Sequence, residues 1–299
     1  MKWFVFAVIC SVGMRLSATT ELGIDGSVAI AYWSQNEIVF AADSRGTVGN
    51  SYHDTECKVR AFGDKLIFTA TGRSSSGFDP GWDMYTLAEA QFRALTRKST
   101  PDRIAEKLAT AWGEGVKEEF DRLGIDALGG LKNQFIATGF FADFENDGTL
   151  LIYVSEVTFN IIPPSRLIIT ANPPRLDPLS SSQGIHQMGE EGIPEIIGEL
   201  QAESTPRGKK WRDDIRSAVR QSNDPIATNA MGIVRAVIDG LPKTETDARG
   251  ARFSKVGPPV AAVRLIKGKG IDWVAKGACC VPSEQKTQPQ PKKPQPKMK

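Results

Sequence analysis

A chain of 299 residues, 40% hydrophobic and 24% charged, can bury a full core and suits one large domain or two small ones. Its formal net charge of +2 is too small to argue for a nucleic-acid partner. Four cysteines show no CxxC or Cys/His spacing for a metal and no disulfide framework, so no metal or cofactor is expected; only His53 and His186 are available for histidine catalysis.

The N-terminus reads as an address label. Met1-Lys2 supplies a positive start, WFVFAVICSVGM is apolar but short for a bilayer span, and Leu16-Ser17-Ala18 offers a small-residue cleavage site. Residues 1–18 are therefore expected to be a secretory signal peptide, which implies a secreted or periplasmic protein. A cytoplasmic location follows if this leader is misread, being instead an apolar pro-segment or a misassigned start. Residues 19–26 are a candidate propeptide, and no other segment is long and apolar enough to cross a membrane.

A domain over 27–278 follows. Its opening hairpin is expected to set Val28, Ile30 and Tyr32 on one face with Ile38, Phe40 and Ala42, across a Ser34-Gln35-Asn36 turn. A three-residue turn would place Ser27 opposite Asp43; two or four residues would shift the pairing by one, and the sequence does not choose. CKVRAF, Gly63-Asp64 and KLIFTATG form a second hairpin. Leu87, Phe92 and Leu95 mark a helix, and a second helix starts at Ser99-Thr100-Pro101 with Ile104, Leu108 and Trp112 on one face. Ser74-Ser75-Ser76-Gly77 reads as a loop, since no Walker lysine follows it.

QFIATGFFADF, Asn146-Asp147-Gly148 and TLLIYVSEV give the strongest hairpin signal, and RLIITA is a further strand. A helical region runs from about Pro194 to Leu241, and VAAVRLI and IDWVAK close with two strands. Strands, helix pair, strands, helices, strands is an α+β order and suggests antiparallel sheets between helix layers. Residues 279–299 form a Pro/Lys-rich tail; from Val281 it holds five prolines and five lysines, with only Val281 and Met298 apolar, and is expected to stay disordered.

The block GSVAIAYWSQNEIVFAADSRGTVGN followed by ECKVRAFGDKLIFTATG resembles the front half of a proteasome β-type subunit, a family of N-terminal nucleophile (Ntn) hydrolases. That family shows Gly-Thr, a strand, "AADSR", a lysine in a "KKV"-like segment, and a strand ending in "AG" or "TG". Here Ser27 to Asp43 spans 16 positions, Asp43 to Lys58 spans 15 (one fewer than usual), and Lys58 to Gly72 spans 14. The likeness is specific over residues 26–125, weaker over 134–160 and faint beyond. It implies a four-layer α-β-β-α sandwich, peptide or small-amide substrates, and a homo-oligomer or ring.

The chemistry accounts for those residue types. A hydroxyl nucleophile needs an adjacent base, and an N-terminal residue carries one in its own α-amine, whose pKa is about 7.7–8.0 unperturbed. A lysine ammonium nearby lowers that amine and assists proton transfer, while an aspartate holds the lysine. The resemblance gives these roles to Ser27, Lys58 and Asp43, and leaves the Gly72 N–H to meet the developing oxyanion. Gly26 suits a self-cleaving Gly26–Ser27 bond.

Departures are equally visible. Ser27 replaces threonine. MGEEG puts Glu190 where a supporting serine is expected, and FSKVGPP around Phe253–Pro259 lacks the family's aspartate and serine. Signal cleavage after Ala18 would leave TTELGIDG before Ser27, so a second cut is needed. Two functions are therefore expected in competition: an exported self-processing amide hydrolase, and a catalytically silent proteasome-like scaffold or assembly protein.

Overall fold

The computed structural model describes residues 27–48, 51–73, 82–99, 102–128, 135–162, 166–176, 183–189, 193–202, 205–246, 250–254 and 256–280. The leader, the candidate propeptide, Ser74–Gly77, Glu190 and the tail from Val281 lie outside them.

The chain opens with β1 (Val28–Ser34) and β2 (Glu37–Ala42), then a small ribbon of β3 (Gly46–Val48) and β4 (Ser51–His53). The second hairpin is β5 (Val59–Phe62) and β6 (Leu66–Gly72). Helix α1 (Met84–Thr96) is capped by Asp83, whose side chain accepts from the N–H groups of Tyr85 and Thr86. Helix α2 (Ile104–Leu123) begins later than the Ser-Thr-Pro signal suggested. The residue before it, Arg103, is left-handed (φ 55°) and offers no side-chain cap.

The strongest hairpin becomes β7 (Phe135–Phe144) and β8 (Leu150–Ile162), followed by β9 (Arg166–Ala171), β10 (Arg175–Leu176) and β11 (Gln183–Gly189). The helical region resolves into α3 (Ile193–Ala202), α4 (Pro206–Gln221) and α5 (Pro225–Gly240), the last two starting with proline after a Thr205 and an Asp224 cap. Strands β12 (Glu245–Thr246) and β13 (Arg252–Phe253) pair with each other, and β14 (Ala261–Ile266) and β15 (Gly270–Ala275) form the closing hairpin.

One sheet has the order β11-β1-β2-β14-β15; the other runs β10-β8-β7-β6-β5, with β9 also on β8. All pairings are antiparallel. The expected four-layer α-β-β-α Ntn sandwich is therefore corrected. What the described residues define is a mixed α+β chain with two antiparallel sheets and five helices, and nothing among them assigns the Ntn sandwich class. The expectation rested on a likeness confined to residues 26–125, whereas three of the five strands in the first sheet, β11, β14 and β15, come from beyond residue 180. Long-range pairing of that kind is not written in a local motif.

The opening hairpin carries a second correction. Its loop has two residues, Gln35 and Asn36, so Ala29 faces Ala42, Ala31 faces Phe40 and Trp33 faces Ile38. A one-residue slip moves every side chain to the other face. Accordingly Val28 and Ile30 join Val39 and Ala41 in a cluster with α3–α5, while Ala29, Ala31 and Trp33 join Ile38, Phe40 and Ala42 against residues of β5–β8. A third apolar cluster sets α1 and α2 on β6–β8. With both faces of β1 and β2 covered, near-continuous apolar runs are the sequence these strands need.

Candidate functional site

Asp43 follows the last residue of β2, and its environment is built by three separate parts of the chain. Its N–H donates to the Val28 carbonyl (3.2 Å), extending the hairpin by one rung. Its carboxylate accepts from the Val28 N–H at 3.0 Å, the Arg45 N–H at 3.2 Å and the Gly257 N–H at 3.2 Å. Lys58 Nζ completes the set, 3.1 Å from Oδ1 and 3.2 Å from Oδ2. Lys58 sits just before β5, where Thr69 Oγ1 donates to its carbonyl at 2.8 Å. Asp43 is 0% and Lys58 1% exposed, so the pair is wholly buried.

Burial pushes the Asp43 carboxyl above the ordinary aspartate range; the Lys58 ammonium and the N–H groups of Val28 and Gly257 pull against it. The Lys58 contact and three N–H donors are what such a charge requires in a dry interior.

Ser27 is fully buried beside this knot, and its Oγ makes no hydrogen bond. It is joined by one peptide bond to Val28, whose N–H is held by Asp43. With the two-residue loop, the hairpin register carries Ser27 toward Ser44 rather than Asp43. The Ser44 hydroxyl is also buried without a partner. Buried hydroxyls without partners are uncommon and costly.

Gly72 ends β6 with φ +106°, and a Cβ there would lie 2.3 Å from the Ile136 carbonyl oxygen. The approach of β7 thus explains the glycine by itself. Strand β6 does contact β1, β2 and β11 across the two sheets.

Three participants were missed in the sequence. The FSKVGPP segment, lacking the family's acid and serine, still returns to the site: Gly257 donates to Asp43 and its carbonyl accepts from the Ser44 N–H at 3.1 Å. Arg45 holds that segment in place. Its guanidinium forks onto Asp54 at 2.6 and 2.9 Å and donates to the carbonyls of Ser254 (3.0 Å) and Val256 (3.4 Å), with the Tyr52 ring 4.2 Å away. The arginine of the AADSR block was a usable signal for this.

The third is a disulfide between Cys57 and Cys279, 222 residues apart, which corrects the expectation of none. It ties the residue before Lys58 to the short 3₁₀ turn Gly277–Cys280. Proximity of such distant cysteines is invisible to spacing rules. Met188 and Gly189 of the MGEEG segment lie beside Ala29 and Val28. Among the described residues, no three His, Cys, Asp or Glu gather to hold a metal, and no helix is long and apolar enough to cross a membrane.

No family model matches this chain, and no characterised protein matches it as a relative.

Proposed function

We propose that this is an amide-bond hydrolase of the N-terminal nucleophile type, similar to a proteasome β-type subunit, with Ser27 as nucleophile after the Gly26–Ser27 bond is cut. The observation that carries the reading is the buried, unbonded Ser27 hydroxyl one peptide unit from a carboxylate that also grips Lys58. In self-processing, Ser27 Oγ attacks the Gly26 carbonyl, the C–N bond breaks, and the nitrogen takes the hydroxyl proton. The resulting ester is opened by water, which leaves a Gly26 carboxylate and a free Ser27 amine.

In turnover that amine takes the Oγ proton as Oγ adds to the scissile carbonyl. The charge on Lys58 keeps the amine unprotonated near neutral pH, Asp43 fixes Lys58, and the Gly72 N–H serves the oxyanion. The leaving amine collects the proton, and water releases the acyl group. Substrates are peptides or small amides, and a homo-oligomer or ring accompanies the family likeness. The Cys57–Cys279 disulfide supports export, because such bonds persist in oxidising compartments.

One observation favours a catalytically silent scaffold or assembly protein instead: the Asp43–Lys58 pair is satisfied within the fold, and Ser27 Oγ is not bonded to Lys58. Intact mass of protein from its native host separates the two. The hydrolase reading expects a chain beginning at Ser27 in wild type and in Ser27→Thr, and an inactive precursor beginning near Thr19 in Ser27→Ala. A wild-type chain that retains residues 19–26 and hydrolyses nothing establishes the scaffold.

A further inference from the structure

Two buried serine hydroxyls share the end of the opening hairpin. Ser27 and Ser44 are both 0% exposed, and neither Oγ makes a hydrogen bond. Ala29 stands opposite Ala42, and both belong to the apolar cluster between the sheets. The Asp43 N–H adds one further rung by donating to the Val28 carbonyl. Side chains alternate along a strand, so Ser27 and Ser44, each two places from its alanine, fall on that same face. Opposite Cβ atoms on one face lie about 4.5–5.5 Å apart, within reach of a hydrogen bond between two hydroxyls.

The Ser44 backbone is tied on both sides. Its N–H donates to the Gly257 carbonyl at 3.1 Å, and its carbonyl accepts from the Glu56 N–H at 3.0 Å. The flanking residues are tied as well, since the Arg45 N–H donates to the Asp43 carboxylate. What remains is rotation about χ1, and a step between staggered wells swings Oγ toward or away from Ser27. A buried hydroxyl without a partner lowers stability, and alanine would fill this place as Ala29 and Ala42 fill theirs. Packing therefore does not explain the Ser44 hydroxyl.

We infer that Ser44 is a positioning residue for the nucleophile: its Oγ accepts the hydrogen bond of the Ser27 hydroxyl and turns an Oγ lone pair toward the carbonyl under attack. This inference rests on the hydrolase reading. Before the cut, Ser27 has no free amine to receive its proton, and Asp43 and Lys58 are engaged with each other. An acceptor for the Ser27 hydroxyl is needed at that stage, and Ser44 is the hydroxyl that the register sets opposite.

The test is the rate of cutting at Gly26–Ser27 in the full chain made by cell-free translation, followed by intact mass. Ser44→Ala is expected to cut about tenfold more slowly than wild type. In a Ser27→Cys background the same substitution is expected to slow cutting by less than about threefold, because a thiol ionises more readily and depends less on alignment. Melting is compared on uncut Ser27→Ala precursors, where adding Ser44→Ala is expected to leave the melting temperature equal or higher. Equal cutting by wild type and Ser44→Ala would overturn the inference and leave the hydrolase reading standing. A lowered melting temperature would overturn it by making Ser44 a structural residue, and so would equal slowing in both backgrounds. A wild-type chain that is never cut sinks the hydrolase reading and the role of Ser44 with it.

Discussion

Two buried regions of this protein are held by opposite physics. Around Phe68, rings of Phe62, Tyr85, Trp112 and Phe141 sit 4.7 to 6.1 Å away in tilted, stacked and edge-on arrangements, and Trp112 Nε1 donates to the Met84 carbonyl at 2.9 Å. Its stability is a sum of many small contacts, each replaceable. Around Asp43, one charge pair and three backbone N–H groups satisfy a single carboxylate, and each group depends on the others. The first region needs only apolar residues of about the right shape, whereas the second needs particular atoms in particular places. The proposed chemistry draws on the second.

The comparison breaks most visibly at Lys58. Lys58→Ala strands a buried carboxylate and should cost about 3–5 kcal/mol by denaturant unfolding, together with all self-cleavage at Gly26–Ser27. If that variant processes and turns over normally, Lys58 has no part in the reaction. Phe68→Ala should cost about 3–4 kcal/mol, yet the folded fraction should still process at Ser27. Loss of processing in a folded Phe68→Ala protein would mean that the two regions are coupled.

Cys279→Ser opens the tie beside Lys58 and should cost about 2–4 kcal/mol, seen as a lower melting temperature than the oxidised wild type. An unchanged melting temperature would mean that the bond adds nothing to the polar region. Gly257→Ala drives a Cβ to within 2.3 Å of the Arg45 guanidinium, and should cost about 1–3 kcal/mol while slowing self-cleavage, because the Gly257 N–H must move from Asp43.

The smallest effect is a pH test at Asp143, whose carboxyl is raised from 3.8 to about 6, chiefly by burial, with Lys65 and a backbone N–H of Phe144 pulling it down. Because the folded pKa is the higher one, the group's contribution is fully present below about 3.8 and is lost as pH rises through about 6. Asp143→Asn should therefore match wild type at about pH 3 and exceed it above pH 6 by about 1 kcal/mol, a value reduced for the side chain's partial exposure. An Asn variant that gains nothing on the alkaline side would show that Asp143 is not penalised by burial. The contrast with Asp43, which four donors surround while Asp143 Oδ1 has no hydrogen bond, would then narrow.

Much of this was open to reading in the chain. Apolar runs broken by turn residues located β1, β2 and β5–β8, whereas the single helical region from about Pro194 to Leu241 did not separate α3, α4 and α5. The family resemblance pointed to Asp43 and Lys58, and the structure brings them together at 3.1 Å. The Gly257 donor and the Ser254 and Val256 carbonyls that Arg45 grips were not legible, since they lie more than 200 residues away along the chain.

The sequence by itself determined the α+β order, the apolar character of both faces of the opening strands, and the residue types available to the site, because these follow from local periodicity and side-chain chemistry. Tertiary structure decided the rest. The two-residue loop chose which faces of β1 and β2 meet, since a slip of one position inverts a strand. The return of Gly257 satisfied Asp43, and the Cys57–Cys279 bond joined positions 222 residues apart. Both are long-range contacts, and their chain-entropy cost is offset only by the assembled core, so no local stretch of sequence encodes them.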